Sequence, residues 1–117
     1  NANGNIIWEN TYGGTEFESA RNISRRSNGQ YVIVSSSRSS NNMVSANYGV
    51  NDAWVIVIDE EGALLFEKNL GGSELDFGLD VIETSNNELV MVGNTESANG
   101  DLTQNKGGKD AFVVKIK

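Results

Sequence analysis

Short apolar runs alternate along the chain with turns rich in Asn, Gly and Ser, and no stretch of ten residues keeps a helical period. Asn5 to Thr11 carries Ile6, Ile7 and Trp8, and Ala63 to Asn69 carries Leu64, Leu65 and Phe66. Ser19 to Arg25 and Phe77 to Glu83 are less apolar but show neither helix caps nor a helical stripe. Tyr31 to Val34 and Leu89 to Val92 are continuously apolar, as strands covered on both faces are. Trp54 to Ile58 is β-branched and aromatic, and Phe112 to Ile116 matches it apart from Lys115. The pattern predicts an all-β chain of eight strands.

Those runs form two copies of one unit, residues 1–58 and 59–117. Setting residue i against i+58 needs no gap. Gly13-Gly14-Thr15-Glu16 meets Gly71-Gly72-Ser73-Glu74, and Asp52-Ala53-Trp54-Val55 meets Asp110-Ala111-Phe112-Val113. Val32 and Val34 meet Val90 and Val92, and Ser39 and Asn41 meet Ser97 and Asn99. Each unit is expected to be a four-stranded antiparallel sheet. Ser27-Asn28-Gly29 and Ser85-Asn86-Asn87 are expected as tight hairpins, because Asn and Gly tolerate positive φ. Asp59-Glu60-Glu61-Gly62 is a second hairpin turn, repeated by Asn1 to Gly4. The Gly-Gly segments and the long stretches Ser36 to Asn51 and Asn94 to Lys109 then emerge together at the opposite end. That elaborated end is the expected functional face.

Composition removes several chemistries. The 117 residues contain no Cys and no His, which excludes disulfides, thiolate ligands and imidazole catalysis. Asp plus Glu is 16 against 9 Lys plus Arg, a net charge of -7, so phosphate-backbone binding is not expected and nucleic acid is excluded as a partner. No run is long enough for a membrane span. No signal peptide is visible and the first residue is not Met, which suggests processing or excision. The charge is uneven: residues 1–58 hold four Arg and four acids, whereas residues 59–117 hold five Lys and twelve acids.

The series Gly-Gly-Ser-x-x-Asp, Gly-Asn-Thr-x-Ser-x-Asn-Gly-Asp, Gly-Gly-x-Asp-Ala-Phe-Val-Val-Lys-Ile and Asp-x-x-Gly-x-Leu-x-Phe resembles the Gly-Gly-Ser/Asp repeat arrays of secreted bacterial surface proteins. The resemblance covers the whole chain and is clearest in the second copy. In the first, Ser35 stands for Gly93, Asn42-Met43 for Gly100-Asp101, Arg25-Arg26 for Glu83-Thr84 and Glu18 for Asp76. The resemblance implies β-propeller blades and a secreted or cell-surface location on a bacterium. By analogy with other propellers, the strand after the Gly-Gly loop is innermost. One complete blade then runs from Ser19 to Asn69, while the strands from Phe77 to Ile116 lack their outer strand. Two blades do not close a ring, since propellers have about four to eight. The implied partners are further repeats of a parent chain, or copies of this chain exchanging the strand Ile6 to Thr11; three copies give six blades and four give eight.

Structural roles are expected for Asp52 and Asp110, which precede a strand and accept backbone N–H bonds, and for the turn glycines Gly13, Gly14, Gly71 and Gly72. Trp8, Trp54, Phe66 and Phe112 are expected as buried inter-sheet core, with Val32, Val34, Val90 and Val92 central. The spacing of Trp8 and Phe66 after a turn Gly is also similar to that of quinoprotein propeller repeats, without a quinone site. Gly13-Gly14 and Gly71-Gly72 lack the strand-to-helix context and the Lys of a phosphate loop. Glu16, Glu18, Glu74 and Asp76 read as a solvated loop rather than a cation site. Asn99-Gly100-Asp101 resembles part of a calcium loop but lacks its first and twelfth ligands, so no metal or cofactor is expected. Asn22-Ile23-Ser24 matches a glycosylation sequon by pattern alone. Binding is assigned to the loop face through Arg38, Met43, Tyr48, Asn99, Asp101 and Lys106. These point to a non-catalytic interaction or scaffold module that contacts a protein or glycan. The alternative is a fragment of a carbohydrate-active enzyme working through paired Asp and Glu residues.

Overall fold

The computed structural model describes residues 3–117; Asn1 and Ala2 of the expected first turn lie outside that range. The described chain is all-β. Seven strands run β1 (Glu18–Arg25), β2 (Tyr31–Ser37), β3 (Asp52–Ile58), β4 (Leu64–Leu70), β5 (Asp76–Glu83), β6 (Leu89–Thr95) and β7 (Asp110–Ile116). They form two antiparallel sheets, β1-β2-β3-β4 and β5-β6-β7. The register repeats: Val34 sits opposite Val55, and Val92 opposite Val113. Even the bulge repeats, falling between Ala20 and Asn22 in one sheet and between Gly78 and Asp80 in the other.

Tight turns join the strands at one end, where Gly29 and its counterpart Asn87 both hold positive φ, at 92° and 63°. Asn substitutes for Gly there because its short polar side chain tolerates the left-handed region. The two sheets pack against each other through one face of each. Val32, Val34, Ala53, Val55, Val57 and Leu70 of the first meet Val81, Leu89, Met91 and Phe112 of the second. A smaller cluster of Val44, Trp54, Ile56 and Ile58, flanked by Tyr12, Tyr31 and Ile33, lies on the other face of the four-stranded sheet.

The sequence expectations for the outer strand and the apolar core fail in three places. Asn5 to Thr11 forms no strand: its side chains bond the turn before β4, but its backbone joins neither sheet. Trp8 and Phe66 are not core: they are 43% and 40% exposed. Trp8 lies on the turn before β4, its indole N–H donating to the Glu60 carbonyl at 3.1 Å, and Phe66 belongs to an edge strand. Val92 is also exposed and Val90 only half-buried, since no described residue covers the outer face of the three-stranded sheet. Trp54 and Phe112 are buried.

Candidate functional site

The long loops and the Gly-Gly turns share one end of the molecule, and one polar network builds that end twice. In the second copy Asp76, expected as part of a solvated loop, is instead fully buried at the start of β5. Its carboxylate accepts from Gly72 N–H and Ser97 Oγ at 2.8 Å and from Thr95 Oγ1 at 2.5 Å. Ser97 Oγ in turn accepts from Glu74 N–H at 3.0 Å, and Asn99 Oδ1 from Ser73 N–H at 2.8 Å. In the first copy, Glu18 accepts from Gly14 N–H at 3.1 Å and Ser37 Oγ at 2.8 Å. Ser39 and Asn41 accept from Glu16 and Thr15 N–H as their counterparts do. Burial alone would raise the Glu18 carboxyl, but the hydroxyls of Ser39 and Ser37 and the Gly14 amide outweigh it and hold it below the usual range.

Asp52 and Asp110 close the long loops. Asp52 Oδ2 accepts from Tyr48 N–H at 2.7 Å, and Asp110 Oδ2 from Lys106 N–H at 2.5 Å. Asp52 is fully buried, and its Oδ1 has no hydrogen-bond partner. Burial pushes this carboxyl up. The Tyr48 amide and the neighbouring Asn69 oppose the rise, while Asp76 and Asp101 reinforce it. Gly13, Gly14, Gly71 and Gly72 supply the turns that Glu18 and Asp76 cap through the Gly14 and Gly72 N–H groups.

The six loop-face candidates are all exposed, and they divide between two loops. Arg38, Met43 and Tyr48 lie on the loop after β2, where the Arg38 guanidinium sits 5.4 Å from the Phe17 ring centre. Asn99, Asp101 and Lys106 lie on the loop after β6. Asn99 is occupied with the Ser73 turn, and Asp101 Oδ2 accepts from Gly71 N–H at 3.4 Å. Among the described residues, no group of three or more Asp, Glu, His or Cys side chains is arranged to hold a metal ion.

A cleft of about 390 Å³ opens between the two sheets, lined by Phe17, Arg21, Ser36, Phe77, Asn94 and Lys109 among others, with no acid in its wall. Lys109 lies 5.8 Å from the Phe77 ring centre and 3.3 Å from Glu96. Two rings, two cations and small polar groups thus converge in a chain of net charge -7. Sequence reasoning passed over these residues. The available signal was divergence between the copies: Arg21 corresponds to Leu79, Phe77 to Ser19 and Lys109 to Asn51.

No family model matches the chain, and no curated protein matches it significantly. There is no helix among the described residues, hence none long and apolar enough to cross a membrane.

Proposed function

We propose that the chain is a non-catalytic, secreted or surface-displayed β-propeller module that binds a glycan in the cleft between its sheets rather than through the six loop residues, without metal or cofactor. The observation that carries this is the cleft between the sheets. Aromatic faces suit the C–H surface of a sugar ring, Ser36 and Asn94 suit its hydroxyls, and Arg21 with Lys109 suits a carboxylate. The ligand class is therefore a carboxylated glycan, and the sheets are blades of a ring completed by further repeats or by copies of the chain. The non-catalytic reading is supported by Asp52: the carboxyl that burial raises has no exposed surface, so it has no route to a glycosidic oxygen. The test is a glycan array that includes uronic and sialic acids beside neutral sugars. Binding restricted to acidic glycans, and weakened at least tenfold by Arg21→Ala, is expected. Equal binding to neutral sugars, or binding unaffected by Arg21→Ala, refutes the site.

A further inference from the structure

The 58-residue repeat maps the buried seam between the sheets onto surfaces that are open in this chain. Val32, Val34, Ala53 and Val55 form one side of the seam. Their counterparts Val90, Val92, Ala111 and Val113 form the outer face of the three-stranded sheet, where Val113 is 70% exposed and Val55 is 0%. The other side of the seam includes Val81, Leu89 and Met91. Their counterparts Ile23, Tyr31 and Ile33 lie on the outer face of the four-stranded sheet, where Ile23 is 56% exposed against 1% for Val81 in the seam, while Tyr31 and Ile33 are half-buried beside Trp54 and Ile56. The chain thus carries both halves of a second seam on opposite faces.

The sheet edge gives an independent indication. Beside the free edge of β7 lies a cavity of about 510 Å³, lined by Leu102, Thr103, Lys106, Ala111, Phe112 and Val113 among others. In the four-stranded sheet, the corresponding space holds β4. There Ala53 pairs with Leu70, Val55 with Lys68 and Ile56 with Glu67, and Glu67 accepts from Trp54 Nε1 at 2.9 Å and from Ser45 N–H at 3.5 Å. The counterpart of β4 is the segment 6–12, in which Glu9 matches Glu67. Trp8, Asn10 and Tyr12 tether that segment to carbonyls of the turn before β4, yet it joins no sheet and Ile7 is 94% exposed.

We propose that the chain assembles head to tail with further copies of itself. Val90, Val92, Ala111 and Val113 of one copy pack on Ile23, Tyr31 and Ile33 of the next. Residues 6–12 of that next copy fill the cavity as the fourth strand on β7. The register follows from β3 and β4: Tyr12 opposite Ala111, Asn10 opposite Val113, Glu9 opposite Val114 and Trp8 opposite Lys115. Glu9 meets Thr103 as Glu67 meets Ser45. Lys115, which replaces Val57 on the seam, lies beside the Trp8 indole, a favourable cation and ring pair. One rotation makes both contacts, since it is the rotation that relates the two sheets within the chain. A repeated contact of this heterologous kind closes into a ring when its steps sum to a full turn.

The inference rests on reading the sheets as blades, and the test separates the two. The chain has no Cys, so introduced pairs report register cleanly. Directly opposed antiparallel residues lie about 4.5–5.5 Å apart at Cα, within disulfide reach. Asn10→Cys with Val113→Cys is expected to give covalent multimers on oxidation. Asn10→Cys with Ala111→Cys, two positions out of register, is not. Light scattering of the intact chain should give a single species at a whole multiple of the chain mass, and Val113→Asp should return it to one copy with unchanged circular dichroism. A monomeric intact chain, or cross-linking indifferent to register, overturns the assembly. If that monomer still binds acidic glycans, the blade reading stands; if its circular dichroism shows helix, that reading falls as well.

Discussion

Replacing Asp76 by Ala should destabilise the chain by about 3–4 kcal/mol, and the structure shows why. The carboxylate accepts three hydrogen bonds in a site closed to solvent, from Gly72 N–H, Ser97 Oγ and Thr95 Oγ1. In the Ala variant, Thr95 can turn to the Ser97 carbonyl, already 3.3 Å away. Gly72 N–H and the Ser97 hydroxyl have no such alternative, and an orphaned buried donor costs roughly 1–3 kcal/mol. Removing a buried charge offsets part of the sum. Glu18→Ala is the internal comparison. Its carboxylate is itself only half-buried, so water can take over part of its bonding to Gly14, Ser37 and Ser39, and about 1–2 kcal/mol is expected. Asp76→Asn should fall between wild type and Asp76→Ala, because an amide keeps one acceptor but points its N–H groups at other donors. Urea denaturation at one protein concentration, followed by tryptophan fluorescence, measures all three. An Asp76→Ala variant within about 1 kcal/mol of wild type, or one no worse than Glu18→Ala, would refute the view that this carboxylate organises the loop end.

Two further predictions concern the sheet seam and the second buried acid. Gly78→Ala should cost about 1–3 kcal/mol, although the backbone there admits alanine, because a Cβ would stand 2.5 Å from Val34 Cγ2 and 2.8 Å from the Ser35 carbonyl; thermal denaturation unchanged from wild type would show that the seam yields. Asp52→Asn should stabilise the chain at pH 7 more than at pH 3. Burial raises the folded Asp52 carboxyl above its unfolded value, so the native state binds this proton more readily, and its contribution falls as pH climbs from the unfolded pKa through the folded one. The asparagine lacks that penalty, and an identical shift in melting temperature at both pH values would contradict it. Glu18 and Glu83 have the opposite sign. Hydrogen bonds outweigh burial at Glu18, and the Ser27 amide and hydroxyl with Arg26 lower Glu83, so their stabilisation is lost as pH falls through the folded values.

The sheet order was legible because two copies of one pattern constrain each other. Ser19 to Arg25 has little apolar character of its own, yet its place between a Gly-Gly turn and an Asn-Gly hairpin matches Phe77 to Glu83. The N-terminal segment carries a strand pattern for the same reason, but it joins no sheet within one copy. Ile6 to Thr11 has the pattern of Leu64 to Asn69, but a strand is a property of a pair, and within one copy this segment pairs with neither β7 nor any other described strand. Polar residues misled in another way. Ser35, Ser36, Ser37, Ser39, Asn51, Thr95 and Ser97 look like surface loop, yet all are buried. Several of their polar atoms find partners, as Ser35 Oγ does in donating to the Trp54 carbonyl of β3 at 2.9 Å. A short hydroxyl that returns to the backbone costs little to bury, so such residues extended β2 and β6 beyond the apolar runs.

The cleft was harder to see because sequence pattern emphasises what repeats. Residues held in common, such as Asp52 with Asp110, Ser39 with Ser97 and Asn41 with Asn99, are those whose hydrogen bonds fix the loop end in both copies. A scaffold fixed twice over leaves the unmatched positions free to vary without loss of fold, and Arg21, Phe77 and Lys109 are unmatched and share one wall. Their cationic character opposes the charge of the whole chain, which disfavours anions at long range; the attraction is therefore local, within about a Debye length of 8 Å at physiological salt. Raising salt should then weaken an acidic ligand less through lost steering than through screening of contacts to Arg21 and Lys109 themselves. The salt dependence should collapse in the Arg21→Ala variant, while substitutions in the repeated network shift stability and leave that dependence in place.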